Sequence, residues 1–154
     1  MRFELTDDAM RVTAVLYKNT QTAEAPVVSP DVKGTPVSSE FRAGEILSGH
    51  RMVTLNASSK AVYASHDNPD HASRIVGMTT NAAIMDGPVN IVSAGPVVDS
   101  SWLWDMNPAR SRVFMLLNGL ISQTPPVSGY LCPVGFVINA NTIFVSIQSP
   151  TRIL

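Results

Sequence analysis

Apolar residues from position 41 onward fall in short runs that turn residues separate. The runs are rich in Val, Ile, Phe and Leu, and Gly, Pro, Asn and Asp interrupt them at close spacing. In the last run Ile143, Val145 and Ile147 alternate with Phe144 and Ser146, which is the period of a strand with two different faces. This pattern predicts an all-β fold, a small β-barrel or β-sandwich. The predicted strands are 51–55, 60–64, 74–79, 88–93, 112–117, 131–138 and 142–147.

The first 40 residues follow a different pattern. Residues 1–19 are acceptable both as a helix with Thr6 as its cap and as a strand. Residues 20–40 have no periodicity, and their prolines remove backbone donors and discourage helix. We therefore predict an extended arm over residues 20–40 that lies on another chain. The predicted contact residues of this arm are Pro26, Val27, Val28, Pro30, Val32, Pro36 and Val37.

A weak internal repeat relates two parts of the β region. Residues 76–82 (VGMTTNA) are similar to residues 134–140 (VGFVINA), and each segment is followed by a predicted strand. Residues 53–56 and 115–118 take corresponding places before the two segments. The repeat predicts two related β units, with Gly77 and Gly135 at equivalent positions. The predicted domains are an attachment region and arm (1–40), a first β unit (41–100) and a second β unit that oligomerises (101–154).

Composition and charge exclude several classes of protein. The formal net charge is −1 and only 15% of the residues are charged, so the basic excess of a phosphate-neutralising nucleic-acid binder is missing. A single cysteine, Cys132, excludes an internal disulfide framework. The apolar runs are too short to cross a membrane, and the charged residues among the first twenty do not fit a signal peptide. We therefore expect a soluble, non-secreted protein that binds neither nucleic acid nor membrane.

The charged residues are distributed unevenly along the chain. Residues 113–151 contain no Lys, Arg, Asp or Glu. The cores of subunit interfaces are depleted of charge, so this run predicts a stable homo-oligomer with the second β unit at the contact. The predicted oligomer interface consists of Trp102, Trp104, Phe114, Leu116, Tyr130, Phe136 and Phe144.

Three local motifs contain residues that could bind a ligand or a metal ion, and each motif also has a purely structural explanation. Residues 44–51 have the glycine spacing of a phosphate loop but lack its Lys and Ser/Thr. Residues 66–71 (HDNPDH) combine ligand types that bind zinc with the Asn-Pro chemistry of a turn, and we predict an exposed turn without a metal ion. Trp102 and Trp104 suit either a sugar-stacking platform or a half-buried strand that anchors a core or interface.

Nothing in the sequence has the pattern of a catalytic site. There is no Gly-x-Ser-x-Gly motif, and Cys132 stands between Leu131 and Pro133 in an apolar run typical of a buried, inert thiol. We therefore predict that the chain is not an enzyme and uses no cofactor and no metal.

Two stretches of the chain resemble virion structural proteins of tailed bacteriophages, including capsid decoration and head-fibre proteins. The more specific stretch is a Gly-x-x-x-Gln-Thr-Pro-Pro loop, formed by residues 119–126, which Val134 and Gly135 follow. Together the two stretches cover residues 41–154, whereas residues 1–40 match nothing in these proteins. The segments that carry the resemblance are 43–45, 49–55, 63–64, 68–72, 75–78, 87–95, 102–104, 113–114, 118–126, 128–130, 134–135 and 143–150.

The resemblance implies a non-enzymatic protein that assembles as a symmetric oligomer, often a trimer, on a phage particle. We accordingly expect a homotrimeric capsid decoration (cement) or head-fibre protein, made in the host cytoplasm, that binds the major capsid protein and stabilises the capsid surface. The first alternative is a tail, baseplate or neck component that contacts host-surface carbohydrate through the tryptophans. The second is a metal-dependent hydrolase at residues 66–71.

Overall fold

The computed structural model describes residues 34–154, which form one compact unit of β-strands, short turns and a single helical turn. Within these residues no helix is long and apolar enough to span a membrane. Two 3-10 turns cover Pro108–Arg110 and Leu117–Gly119. The other elements are β1 Val37–Arg42, β2 Met52–Leu55, β3 Ala61–Tyr63, α1 Pro69–Ala72, β4 Gly77–Thr79, β5 Pro88–Val98, β6 Arg112–Met115, β7 Ile121–Ser122, β8 Tyr130–Leu131, β9 Pro133–Asn139, β10 Thr142–Ser146 and β11 Thr151–Arg152.

Nine of the strands form one antiparallel sheet that curls strongly into a half-barrel, which confirms the predicted all-β class. The strand order is β3-β2-β4-β5-β10-β9-β6-β7, and β1 pairs with β5. β8 and β11 form a separate two-stranded sheet. The long strand β5 joins the two sides of the sheet, because it pairs with β4 over Ile91 and Val92 and with β10 from Ala94 to Val98.

The four strands counted from one edge of the sheet (β3, β2, β4, β5) correspond in order to the four counted from the other edge (β7, β6, β9, β10). The residue pairings repeat as well. We call β2–β5 the first half of the sheet and β6, β7, β9 and β10 the second half. Val53 pairs with Gly77 in the first half as Val113 pairs with Gly135 in the second. The predicted repeat therefore has a counterpart in the pairings, and the two glycines are equivalent. The boundaries given above for the two β units stay a prediction, since both halves belong to one compact unit.

One part of the predicted repeat was misaligned by two residues. The sequence pattern aligns residues 53–56 with 115–118, whereas the pairings match Val53 with Val113. The hairpin loops confirm this offset. The Asn56 N–H donates to the Lys60 carbonyl across one loop, and the Leu116 N–H donates to the Leu120 carbonyl across the other.

Two hydrophobic clusters lie on opposite faces of the sheet. The central cluster includes Met52 and Met78 from the first half, and Val113 and Ile143 from the second. The lateral cluster lies on the outer face of the first half and includes Val53 and Ile91. Val53 and Ile91 are equivalent to Val113 and Ile143, so the two halves turn opposite faces towards the central cluster.

A bulge in β5 explains this inversion. Val37 pairs with Ala94 while Ser38 pairs with Val92, so β5 contains an extra residue opposite β1, and Gly95 next to it has a φ of +114°. An extra residue changes the phase of alternation and moves every later side chain to the other face. Ile91 accordingly belongs to the lateral cluster, whereas Val97, an even number of residues further on, belongs to the central one.

β1 corrects the prediction for the end of the N-terminal arm. Residues 37–40 are part of a strand that pairs with β5 of the same chain, and this strand crosses the predicted boundary between residues 40 and 41. Pro36 lies against Gly95, where a Cβ would be 2.7 Å from the Pro36 Cα. Pro26, Val27, Val28, Pro30 and Val32 lie outside the described residues.

Candidate interaction surface

The outer face of the second half carries a row of large side chains across four strands. Arg112 of β6 pairs with Phe136 of β9, Phe136 pairs with Phe144 of β10, and Phe144 pairs with Pro96 of β5. Directly paired residues point to the same side of a sheet, so these side chains are neighbours. Phe114 and Ser146 stand two residues from Arg112 and Phe144 and share their face. We call Pro96, Arg112, Phe114, Phe136, Phe144 and Ser146 the bare face.

The three phenylalanines of this face are only partly covered by the described part of the chain. None of them belongs to either hydrophobic cluster of residues 34–154. Phe136 is 43% exposed, and its ring stacks on Phe144 with a centroid distance of 5.3 Å and an angle of 16°. The equivalent row in the first half is Met52, Met78 and Val92, whose side chains are at most 3% exposed. A partly exposed aromatic row of this kind is typical of an interaction surface.

Arg112 separates two hollows at the end of the aromatic row. One hollow of about 360 Å³ is bordered by Phe114, Thr124 and Pro125, and the other, of about 270 Å³, by Phe136, Ser146 and Gln148. Arg112 borders both hollows. Its guanidinium has no hydrogen bond or ion pair with any residue of the described range. An unpaired guanidinium between aromatic rings can bind a carboxylate with two parallel hydrogen bonds.

Gln123 fixes the rim of the first hollow. Its amide oxygen accepts a hydrogen bond from the Asp105 N–H at 2.9 Å, and its amide nitrogen donates to the carbonyls of Asp105 and Arg110. Arg110 in turn donates to the Asp105 carboxylate at 3.1 Å and to the Thr124 hydroxyl at 3.2 Å. The Gln-Thr of the motif therefore organises this rim and engages Arg110, whereas the guanidinium of Arg112 is left without such a contact among residues 34–154.

The structure divides the predicted oligomer interface into two groups. Phe114, Phe136 and Phe144 lie on the bare face. Trp102, Trp104 and Tyr130 instead pack against the central cluster, and Leu116 lies in the β6–β7 loop, where its carbonyl accepts from the His66 N–H. The role of all seven residues in oligomerisation stays a prediction. Arg112 is not among the residues predicted from the sequence, although Arg112 and Arg110 are the last cations before the uncharged run.

The two tryptophans do not form the strand that their alternation predicted. Residues 102–104 have no strand pairing. The backbone N–H of Trp102 donates to the Asp99 carbonyl, and the backbone N–H of Trp104 donates to the Ala140 carbonyl. Their rings are tilted by 57° at 5.3 Å, and Leu103 between them is 90% exposed. The Trp104 Nε1 is buried without a hydrogen-bond partner in the described part of the chain. The two rings are therefore half-buried and do not lie in one plane, and a role in sugar binding stays a prediction.

The prediction of an exposed turn at residues 66–71 was wrong in part. His66 is only 9% exposed, and its Nδ1 has no hydrogen-bond partner among residues 34–154. Asn68 caps α1 by accepting from the N–H groups of Asp70 and His71, with Pro69 in the first position, so the Asn-Pro chemistry begins a helical turn. Over the described range, no group of three His, Cys, Asp or Glu side chains is placed to hold a metal ion.

His50 and Asp99 form a polar contact that the sequence pattern did not indicate. His50 Nδ1 lies 3.0 Å from the Asp99 carboxylate, and its ring meets Trp102 edge-on at 5.0 Å. Hydrogen bonds from the Ser101 N–H and hydroxyl hold the pKa of Asp99 below its usual value, with a smaller effect of His50. The contact ties the segment before β2 to the end of β5.

Cys132 is buried in the central cluster, as the sequence predicted. Burial raises the pKa of its thiol to about 11 because the apolar surroundings disfavour the thiolate. The thiolate is the nucleophilic form, so burial keeps this side chain mainly in its less nucleophilic thiol form at neutral pH. Comparison with protein-family models finds no matching family, and comparison with curated proteins finds no relative.

Proposed function

We propose that the chain is a bacteriophage virion structural protein, a capsid decoration (cement) or head-fibre protein that binds the capsid surface as a homo-oligomer and stabilises it. The resemblance of residues 41–154 to such proteins motivates the proposal. The observation that supports an assembly role is the bare face, since Phe136 and Phe144 are only partly covered by the described part of the chain while their counterparts Met78 and Val92 are buried.

The composition of this face suits a protein partner. Aromatic residues and arginine are enriched in interfaces, and Lys, Glu and Asp are depleted there. The bare face combines three phenylalanines with one arginine, and no acidic residue belongs to it. Partners of this chemistry are a second copy of the chain and the major capsid protein.

Quantitative protein staining of purified virions tests the proposal. Decoration predicts hundreds of copies for each particle, with the protein distributed over the capsid in images of antibody-labelled virions. A handful of copies at the tail or neck would instead support a host-contacting tail component. Absence from purified particles would overturn the virion role altogether.

A further inference from the structure

We propose that the bare face binds an extended segment of a different protein. In this segment one carboxylate, which Arg112 binds, stands between two apolar side chains that occupy the two hollows beside Arg112. The proposal rests on the assembly role proposed above and not on attachment to a virion. Binding of a purified peptide tests it, whereas the copy number on particles tests the virion role, so the two can fail separately.

The charges at the two hollows favour a carboxylate. Arg112 is exposed, and its guanidinium has no hydrogen bond or ion pair within residues 34–154. Arg110 also borders the first hollow, but it already binds the Asp105 carboxylate. No acidic residue of the described range borders either hollow. An unpaired arginine in such surroundings binds a carboxylate through two parallel, charge-assisted hydrogen bonds.

The neutral polar groups around the hollows bind one another, which disfavours an acidic sugar as the occupant. Gln123 uses both ends of its amide within the rim of the first hollow. The Thr124 hydroxyl accepts from Arg110, and the Ser146 hydroxyl accepts from Gln148. A sugar needs partners for several hydroxyl groups besides its carboxylate, because buried polar groups without hydrogen bonds are unfavourable. Apolar side chains on both sides of a carboxylate have no such requirement.

The position of Arg112 between the hollows fits the spacing of an extended segment. Phe114 and Pro125 border the first hollow, and Phe136 borders the second. In an extended chain, side chains two residues apart point to the same side at a distance of about 6–7 Å. A carboxylate can therefore reach Arg112 while the side chains two residues before and after it enter the hollows. Phe144 stacks on Phe136 and continues the apolar surface beyond the second hollow.

The described part of this chain contains no such segment with a free carboxylate. Glu40, Asp67 and Asp70 are the acidic residues of residues 34–154 whose carboxylates have no partner there. The residues two positions away from these three are, in the same order, Ser38 and Arg42, Ser65 and Pro69, and Asn68 and Ala72. None of the three carboxylates stands between two large apolar side chains, which favours a partner of different sequence.

Binding of two synthetic peptides tests the site. The probe is acetyl-Leu-Ser-Glu-Ser-Leu-amide, and its matched peptide has Gln in place of Glu. NMR chemical shifts of the backbone amides in β6, β9 and β10 follow the titration. We expect the Glu peptide to bind with a dissociation constant on the order of 1 mM. The Gln peptide should bind at least about tenfold more weakly, because it lacks the charge-assisted contact.

Variants of the protein test the same contact from the other side. Arg112→Gln should weaken binding of the Glu peptide as much as the change in the peptide does. Arg112→Lys keeps the charge but loses the paired hydrogen bonds, so its affinity should lie between the two. Arg152→Gln is the matched control, because Arg152 lies on β11 in the separate sheet, and it should leave binding unchanged. Circular dichroism verifies the fold, and the comparison of the two peptides holds even where a variant does not fold.

Each other result overturns the proposal. Equal binding of the Glu and Gln peptides would exclude a carboxylate as the recognised group, and equal binding to the native chain and to Arg112→Gln would exclude Arg112. No binding of the Glu peptide at about 10 mM would reject the extended segment. Tighter binding of methyl glucuronide than of the Glu peptide would assign the site to an acidic sugar. A native oligomer that Arg112→Gln dissociates in light scattering would make a second copy of the chain the occupant.

Discussion

The two halves of the sheet share their strand order and residue pairings but bury opposite faces. The row Met52, Met78 and Val92 lies within the central cluster, whereas its counterpart Arg112, Phe136 and Phe144 lies outside both clusters of the described chain. Pairing thus determines topology, and the phase of alternation determines which side chains are available to a partner. Equivalent positions of the two halves are therefore buried in the first half and partly exposed in the second.

Truncation of equivalent side chains should give the largest difference in the free energy of unfolding between the two halves. Met78→Ala removes a fully buried side chain from the central cluster and should lower the free energy of unfolding by about 2–5 kcal/mol. Phe136→Ala removes a side chain that is 43% exposed and should cost the isolated chain about 1 kcal/mol or less. Urea denaturation at low protein concentration measures both.

The control for this pair is Val98→Ala, which truncates a side chain that is 61% exposed at the end of β5. It should change the free energy of unfolding as little as Phe136→Ala does. If Phe136→Ala destabilised the chain as much as Met78→Ala, the second half would be buried on both faces and the bare face would not exist.

The contrast between the two halves also explains which parts of the fold could be predicted from the sequence. Alternation in β10 correctly placed Ile143 and Val145 opposite Phe144, and turn residues located most strands. The strands β7 and β11 have two residues each, which is too short for any periodicity to be visible. The bulge in β5 was missed because Ser93 and Ala94 carry no signal for it, and without the bulge the burial of the two faces cannot be assigned.

The candidate surface was predicted only in part for a related reason. Seven residues were selected because they are large and lie in the uncharged half, but size does not tell which face of a strand a side chain occupies. Trp102, Trp104 and Tyr130 therefore proved to pack on the central cluster. Arg112 was overlooked because an isolated cation has no pattern, and its lack of a partner is visible only in three dimensions.

Alanine at the two equivalent glycines should have an intermediate and similar effect in both halves. A Cβ at Gly77 would lie 2.2 Å from the Val92 carbonyl oxygen, and one at Gly135 would lie 2.5 Å from the Phe144 carbonyl oxygen. In each variant the strand that carries the glycine must move away from its neighbour, and we expect the free energy of unfolding to fall by about 1–3 kcal/mol. Thermal denaturation of Gly77→Ala and Gly135→Ala measures the loss. Gly49→Ala is the control, because its nearest contact is an ordinary 3.6 Å.

Unequal losses would sharpen the comparison in a different way. If Gly77→Ala were severe and Gly135→Ala neutral, the second half would have room to adjust that the first half lacks. The two glycines would then be equivalent in register but not in packing.

The smallest effect is expected at the tips of the two hairpins. Ser59 has a φ of 61° and its counterpart Gly119 a φ of 71°. Ser59→Gly relieves the strain of a serine in the left-handed region but increases the conformational entropy of the unfolded chain. The two effects oppose each other, so we expect a stabilisation of less than about 1 kcal/mol by chemical denaturation. A clear destabilisation would show that the Ser59 side chain supports the loop. The loops are not interchangeable, because a Cβ at Gly119 would meet the Met52 carbonyl oxygen at 2.3 Å.

The extra residue in β5 has a consequence for how such a protein can acquire a binding function. Inserting one codon into a strand shared by two copies of the same unit leaves every hydrogen-bonded pair of the second unit in place, yet exchanges its inside for its outside. Residues on the newly outward side are then free to change towards phenylalanine and arginine without loss of the core. A duplicated unit can in this way turn a new face outwards in one step, and later substitutions can then adapt that face.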